Sequence, residues 1–238
     1  MHLSVVIPAY DEGKVLKENL EEIIKFLKSK KYTWEIVVVD DGSRDNTYKI
    51  AKSLFKKGVK AYRLLQNQGK GGALKEGFNK AKGDNIIFMD ADLSVPLKNI
   101  DVFITELKKA DVVIGSRRVS GSNIVVHQPF LRESMGRVFT LLTKIVTSTD
   151  LADYTCGFKG FEKKAGKKIF SHSLVKRWSY DAEIMFLAHK FGYNIRQVPV
   201  NWFNRKDTRV RLGDAVFTSF IDLIKIRVYD LLGKYSKA

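Results

Sequence analysis

Apolar runs that each end in a polar, acidic or glycine-rich cluster recur through the first half of the chain. Leu3-Ser4-Val5-Val6-Ile7 stops at Pro8, Ile36 to Val39 at Asp40-Asp41-Gly42-Ser43, and Ile86 to Met89 at Asp90-Ala91-Asp92. Val59 to Leu65 leads into Asn67-Gln68-Gly69-Lys70-Gly71-Gly72, and Val112 to Ile114 into Gly115-Ser116-Arg117-Arg118. Short runs without alternation are the pattern of strands buried on both faces of a parallel sheet. Between them lie segments of helical period: Val15 to Leu27, Ser43 to about Phe55, and Ala73 to Ala81. Strand and helix alternate to residue 118, which predicts right-handed βαβ units and an α/β fold.

Beyond 118 the pattern loosens. Val119 to Phe130 is uncharged and reads as a long loop. Leu131 to Val146 is an amphipathic helix, and Asp153 to Phe161 mixes small and aromatic residues near a turn. Arg177 to Glu183 opens a helix that runs over Ile184 to Phe191, Ile195 to Val200 is a strand, and Gly213 to Leu232 is a last amphipathic helix.

In a parallel sheet the strand ends share one edge, where ligands of open α/β sheets gather. The five clusters therefore converge on one cleft. Asp90 and Asp92 stand two apart, so on an extended backbone they face the same way. Two hard oxygen ligands there suit Mg²⁺ or Mn²⁺, and hence a diphosphate. Taken alone, the pair is equally an ordinary strand end carrying two solvated acids. Gly69-Lys70-Gly71-Gly72 matches neither a P-loop nor G-x-G-x-x-G, which argues against an ATPase or a dinucleotide dehydrogenase. Lys70 can still meet a phosphate.

Composition narrows the partners. Lys and Arg number 42 against 26 Asp and Glu, a net charge of +16, which favours a polyanion, an anionic membrane face or phosphorylated ligands. The basic residues are dispersed and no nucleic-acid motif is present, so no nucleic-acid partner is expected. Cys156 is the only cysteine, which excludes an intrachain disulfide and fits a reducing compartment. His2, His127, His172 and His189 have no metal-ligand spacing. The sequence enters a strand at once without a signal-like segment, and no stretch approaches the roughly 18 apolar residues of a spanning helix. A cytoplasmic protein, peripheral to a membrane, is the expectation.

Read together, the clusters resemble the nucleotide-sugar glycosyltransferases of the GT-A fold, family 2. Pro8-Ala9-Tyr10-Asp11-Glu12 is similar to that family's P-A-Y-N-E opening, with Asp11 in place of Asn. Asp40-Asp41-Gly42-Ser43, Gly69 to Ala73, Asp90-Ala91-Asp92 and Gly115-Ser116-Arg117 follow in order. The later blocks, Asp153 to Lys159, Arg177 to Glu183 and Val198 to Trp202, resemble dolichyl-phosphate β-glucosyltransferases more than dolichyl-phosphate mannose synthases. The resemblance implies a Rossmann-like, mostly parallel sheet with flanking helices. A GT-A domain would span 1–211, with a nucleotide-sugar half (1–118) and an acceptor half (119–211). An amphipathic helix, 212–238, would face a membrane.

It also implies an inverting transfer of glucose from UDP-glucose to dolichyl or another polyprenyl phosphate. A GDP-mannose donor and a non-catalytic nucleotide-binding module stand as alternatives. Pro8, Ala9, Tyr10, Glu12, Asp40 and Asp41 would hold the nucleotide, with Lys70, Asp90 and Ala91 completing the donor site. Asp90 and Asp92 would carry Mg²⁺ or Mn²⁺. Arg117, Arg132 and Arg205 would clamp the leaving diphosphate or the acceptor phosphate. Asp92, Arg117 and Asp181 are the catalytic candidates, Asp181 as base, acceptor-positioning group or plain N-terminal helix acid. Trp178 and Trp202 flank the sugar or belong to the core.

Overall fold

The computed structural model describes residues 2–124, 130–203 and 212–236, without the side chains of 124, 130–133, 135 and 212–217. The chain runs β1 (His2–Ala9), α1 (Leu16–Lys28), β2 (Thr33–Asp40), α2 (Thr47–Ser53), β3 (Val59–Arg63), α3 (Lys70–Lys80), β4 (Asn85–Met89), α4 (Asn99–Glu106) and β5 (Val112–Ser116). It continues through β6 (Asn123–Ile124), α5 (Phe130–Thr147), β7 (Phe158–Glu162), α6 (Lys163–His172), α7 (Tyr180–Lys190), β8 (Ile195–Pro199), β9 (Asn201–Trp202) and α8 (Leu212–Leu231).

Seven strands form one sheet in the order β3-β2-β1-β4-β7-β5-β8. All run parallel except β7, which is antiparallel to both β4 and β5. Helices cover both faces, so β1 is apolar on both sides. Leu3, Val5 and Ile7 pack with Leu16, Leu20 and Ile23 of α1, while Val6 packs on the opposite face with Ala73, Leu74 and Phe78 of α3. The approach on that second face is close, because a Cβ on Gly77 would stand 2.4 Å from Val6 Cγ1.

Helix α1 follows its apolar positions 16, 20, 23, 24 and 27, with Glu18 in the first turn and Lys25 and Lys28 in the last, charges that suit the helix dipole. Sequence pattern and structure differ at several elements, and the short strand β6 falls inside the stretch 119–130 expected to be a loop. Helix α3 begins at Lys70 rather than Ala73, so Gly71 and Gly72 lie inside its first turn. There they allow contact with a neighbouring segment: a Cβ on Gly71 would meet Tyr180 Cβ at 2.6 Å. Strand β7 stands where a turn was expected, and α4 and α6 carry no separate forecast. Among the described residues no helix is long and apolar enough to cross a membrane.

Candidate active site

The sheet's carboxyl edge carries a cleft of about 230 Å³. Pro8, Ala9, Tyr10 and Glu12 form one wall at the end of β1, and Asp41 follows β2. Lys70 and Ala73 come from the first turn of α3, and Asp90, Ala91 and Asp92 from the end of β4. Every residue assigned from sequence to the nucleotide-sugar set therefore lines this cleft except Asp40.

Backbone constraints hold the walls. Asp11 adopts φ +53, a left-handed conformation that Asp and Asn tolerate better than most residues, which accounts for the residue type at that place in the opening motif. Its N–H donates to Ser43 Oγ (2.9 Å), its carboxylate accepts from Arg44 N (2.7 Å), and Glu12 N donates to Thr47 Oγ1 (2.8 Å). The loops after β1 and β2 are thus laced together.

Asp41 accepts from the backbone N–H groups of Gln68 and Gly69, both at 2.8 Å, and so fixes the entry to α3. Burial pushes its carboxyl above the usual range against the pull of those two donors. Asp40 is fully buried; it accepts from Ser43 N (3.1 Å) and makes an ion pair of 3.2 Å with Arg63. Its place is beneath the cleft, where it braces the loop that carries Asp41.

Asp90 and Asp92 differ in their bonding. Asp92 closes a turn onto its own neighbour, accepting from Ser94 N (2.9 Å) and Ser94 Oγ (2.7 Å), with Leu93 at φ +56. Asp90 pairs with the Lys70 ammonium. Both side chains of that pair remain partly open, at 33% for Lys70 and 39% for Asp90. Burial opposes the charge on Lys70, but the adjacent Asp90 carboxylate outweighs it and holds the amine well above its usual range. Behind Asp90 lies Gly157, where a Cβ would stand 1.9 Å from Asp90 Oδ2.

Two hard carboxylates on one open wall fit a divalent cation that completes its shell with substrate phosphate and water. Among the described residues no cluster of three or more His, Cys, Asp or Glu offers a closed cage. That donor set suits a cation that arrives together with a diphosphate.

Asp181 and Arg117 stand apart from the lining of the cleft. Asp181, in the first turn of α7, is 6% exposed and pairs at 2.5 Å with Lys159, whose side chain is fully buried and also donates to Cys156 O (2.7 Å). Arg117 departs from its expected part as a phosphate clamp. Its guanidinium forks onto Asp153, Nε to Oδ2 at 2.7 Å and Nη2 to Oδ1 at 2.8 Å, and Nη2 also donates to Thr155 Oγ1 (2.8 Å). That bidentate geometry satisfies the group within the fold. Arg205 and the Arg132 side chain lie outside the described residues.

Trp202 packs on the core with the Arg117 guanidinium over its ring at 5.4 Å, and Trp178 is 43% exposed. Burial raises the Cys156 thiol to about 11, so no thiolate nucleophile is present there.

Sequence reasoning placed Asp153, Gly157, Lys159, Tyr180 and Glu183 within blocks of family resemblance but assigned them no roles. Each acts through a partner far away in the chain. Glu183 is an example: its fully buried carboxylate accepts from Leu174 N and Val175 N (2.9 Å each) and from Tyr235 Oη (2.6 Å). The segment it fixes receives α3, with Gly72 N donating to Lys176 O at 3.2 Å.

Comparison with known proteins agrees with this layout. Residues 4–170 match the family model described as glycosyl transferase family 2. A dolichyl-phosphate beta-glucosyltransferase of Dictyostelium discoideum is 32% identical over 98% of this chain and 76% of its own length. The Saccharomyces cerevisiae protein of the same name is 35% identical, over 98% and 76%. Among solved structures, glucosyl-3-phosphoglycerate synthase of Mycobacterium tuberculosis, crystallised with Mn²⁺, UDP-glucose and phosphoglyceric acid, superposes with a TM-score of 0.66. It is 18% identical, and the match covers all of this chain and 80% of that one, a likeness of fold. A family match this long, with its motifs gathered along one sheet edge, makes the chain a member of glycosyl transferase family 2, a sugar-transferring enzyme.

Proposed function

We propose that the enzyme transfers glucose from UDP-glucose to dolichyl or another polyprenyl phosphate, inverting the anomeric configuration, at the cytoplasmic face of a membrane. The observation that carries the donor side is the cleft, lined by Pro8, Ala9, Tyr10 and Glu12 together with Asp90, Asp92 and Lys70. The acceptor and the sugar rest on the near-full-length likeness to proteins named dolichyl-phosphate beta-glucosyltransferase. In this reading residues 1–118 serve the donor and 119–211 the acceptor.

A lipid phosphate is already anionic at neutral pH, so its oxygen attacks the anomeric carbon without losing a proton. The bond from that carbon to the diphosphate oxygen breaks on the opposite face, and UDP leaves. Negative charge then grows on the diphosphate, where Lys70 is placed to meet it. A divalent cation, Mg²⁺ or Mn²⁺, held by Asp90 and Asp92 would supply further charge neutralisation there. Asp181, paired with Lys159, orients the acceptor side. Arg117 shapes the same wall through Asp153.

A membrane face accompanies the cleft. Val138, Leu141 and Ile145 on α5 are exposed at helical spacing, as are Ile221, Ile224, Val228 and Leu231 on α8, which packs against α5. Exposed Arg137, Lys225 and Arg227 lie among them, so an apolar stripe with basic flanks is offered to anionic lipid. Incubation with radiolabelled donors and a polyprenyl phosphate, followed by organic extraction, tests the reaction. Label that follows UDP-glucose into the organic phase is the expected result. Label from GDP-mannose alone overturns the donor, and label only in water-soluble product overturns the acceptor. Flotation with anionic vesicles at low salt tests the face, and absence of binding refutes it.

A further inference from the structure

Lys70, Asp90 and Tyr180 form one group at the edge of the cleft. The ammonium of Lys70 rests on Asp90 and lies 5.7 Å from the centre of the Tyr180 ring. Tyr180 is 4% exposed, and its hydroxyl is already beside that ammonium. The backbone around Lys70 is held in place. Gly69 and Gly71 sit against Lys176 O and Tyr180 Cβ, each too close for a Cβ, and Gly69 N is held by Asp41. The Lys70 side chain, one-third exposed on a flexible four-carbon stem, is the part that can move.

We propose that Lys70 is an exchangeable counter-ion: it neutralises Asp90 until a divalent cation takes that carboxylate, then turns to the donor's diphosphate. This rests on reading Asp90 and Asp92 as the cation's carboxylates. The consequence is linkage. A cation binding alone must displace Lys70 and leave a second positive charge beside it. A diphosphate binding at the same time gives the displaced ammonium an anion. Cation and nucleotide therefore bind cooperatively, and the cooperativity passes through Lys70.

The test is Mn²⁺ affinity, read from the electron paramagnetic resonance of free Mn²⁺, without UDP and with UDP at saturation. In the wild type UDP raises Mn²⁺ affinity by about tenfold or more, within the roughly 5- to 150-fold range of coupling between sites. Lys70→Gln binds Mn²⁺ alone about fivefold or more tighter than wild type, and its enhancement by UDP shrinks by a similar factor. A gain in Mn²⁺ affinity does not arise from general loosening of the fold. Unchanged or weaker Mn²⁺ binding by Lys70→Gln without UDP overturns the proposal while the cation site stands. Failure of the wild type to bind Mn²⁺ even with UDP, or binding indifferent to Asp92→Asn, overturns the cation site and the proposal with it.

Discussion

Replacing Arg117 by Ala removes one partner of a buried ion pair and leaves the other. Asp153 is 1% exposed and Arg117 17%, so little water reaches the carboxylate once the guanidinium is gone. Three side-chain hydrogen bonds of Arg117 disappear, and Asp153 keeps the backbone donors of residues 117 and 155, both at 3.1 Å, and the Thr155 hydroxyl at 3.4 Å. Breaking such a pair destabilises by about 3–5 kcal/mol. The retained donors place this case near the lower end, about 3 kcal/mol, or about 6–12 °C in Tm for a chain of this size.

The loss has a characteristic pH dependence. Burial alone would raise the Asp153 carboxyl, but the Arg117 fork overrides it and holds the group below its ordinary range. The pair's stabilisation is therefore complete above the unfolded value of about 4 and is lost as pH falls through the depressed folded value. In Arg117→Ala burial is opposed only by the remaining donors and the Lys159 charge, so Asp153 takes up a proton at higher pH than in the wild type. The gap between the two proteins is then widest near neutrality and narrows toward about pH 4. Guanidinium denaturation of both proteins across that range reads it, with Asp153→Ala and the double variant completing a cycle. A gap below about 1 kcal/mol at neutral pH, the scale of an exposed pair, refutes the reasoning, as does a gap that does not change with pH.

Three further outcomes follow from named contacts. Gly157→Ala drives a Cβ into the Asp90 carboxylate and lowers kcat/KM by about 100-fold with the melting temperature less affected; full activity in a sugar-transfer assay refutes the contact. Gly77→Ala overpacks Val6 and destabilises by about 1–3 kcal/mol, which Val6→Ala in the same chain partly restores in thermal denaturation. Glu183 is held above its ordinary range by burial against its three donors. Its contribution to stability is therefore greatest below the unfolded value of about 4.3 and declines as pH rises through the folded one. Glu183→Gln removes that part of the slope, and identical slopes in wild type and variant over that interval count against it.

The sheet from β1 to β5 and its acidic edge were legible because strands buried on both faces leave continuous apolar runs with abrupt polar ends. The gathering of the strand-end clusters followed from phase, since parallel strands put their ends together, and the individual donor residues came with the family resemblance. Pairing was not legible. Lys159 in β7 looks like a surface charge until Asp181, 22 residues on, neutralises it, and Arg117 reads as a free phosphate ligand until Asp153, 36 residues on, takes its fork. Gly71 and Gly72 resemble a loop because the segment that receives their helix turn lies a hundred residues downstream, at Lys176. Chemistry that depends on a distant partner leaves residue identities in the sequence without their roles.

Strand β7 also dictates how the molecule is made. β4 and β5 follow each other closely in the sequence yet never touch through hydrogen bonds, for residues 158–162 must slide in between them. As the polypeptide emerges from the ribosome, β4 exposes a raw edge through some seventy intervening residues, an invitation to self-association that cellular helpers would have to guard. Once β7 is in place, β4 and β5 belong to one continuous lattice of backbone bonds, and the strand that closes the gap is drawn from a stretch made long after both.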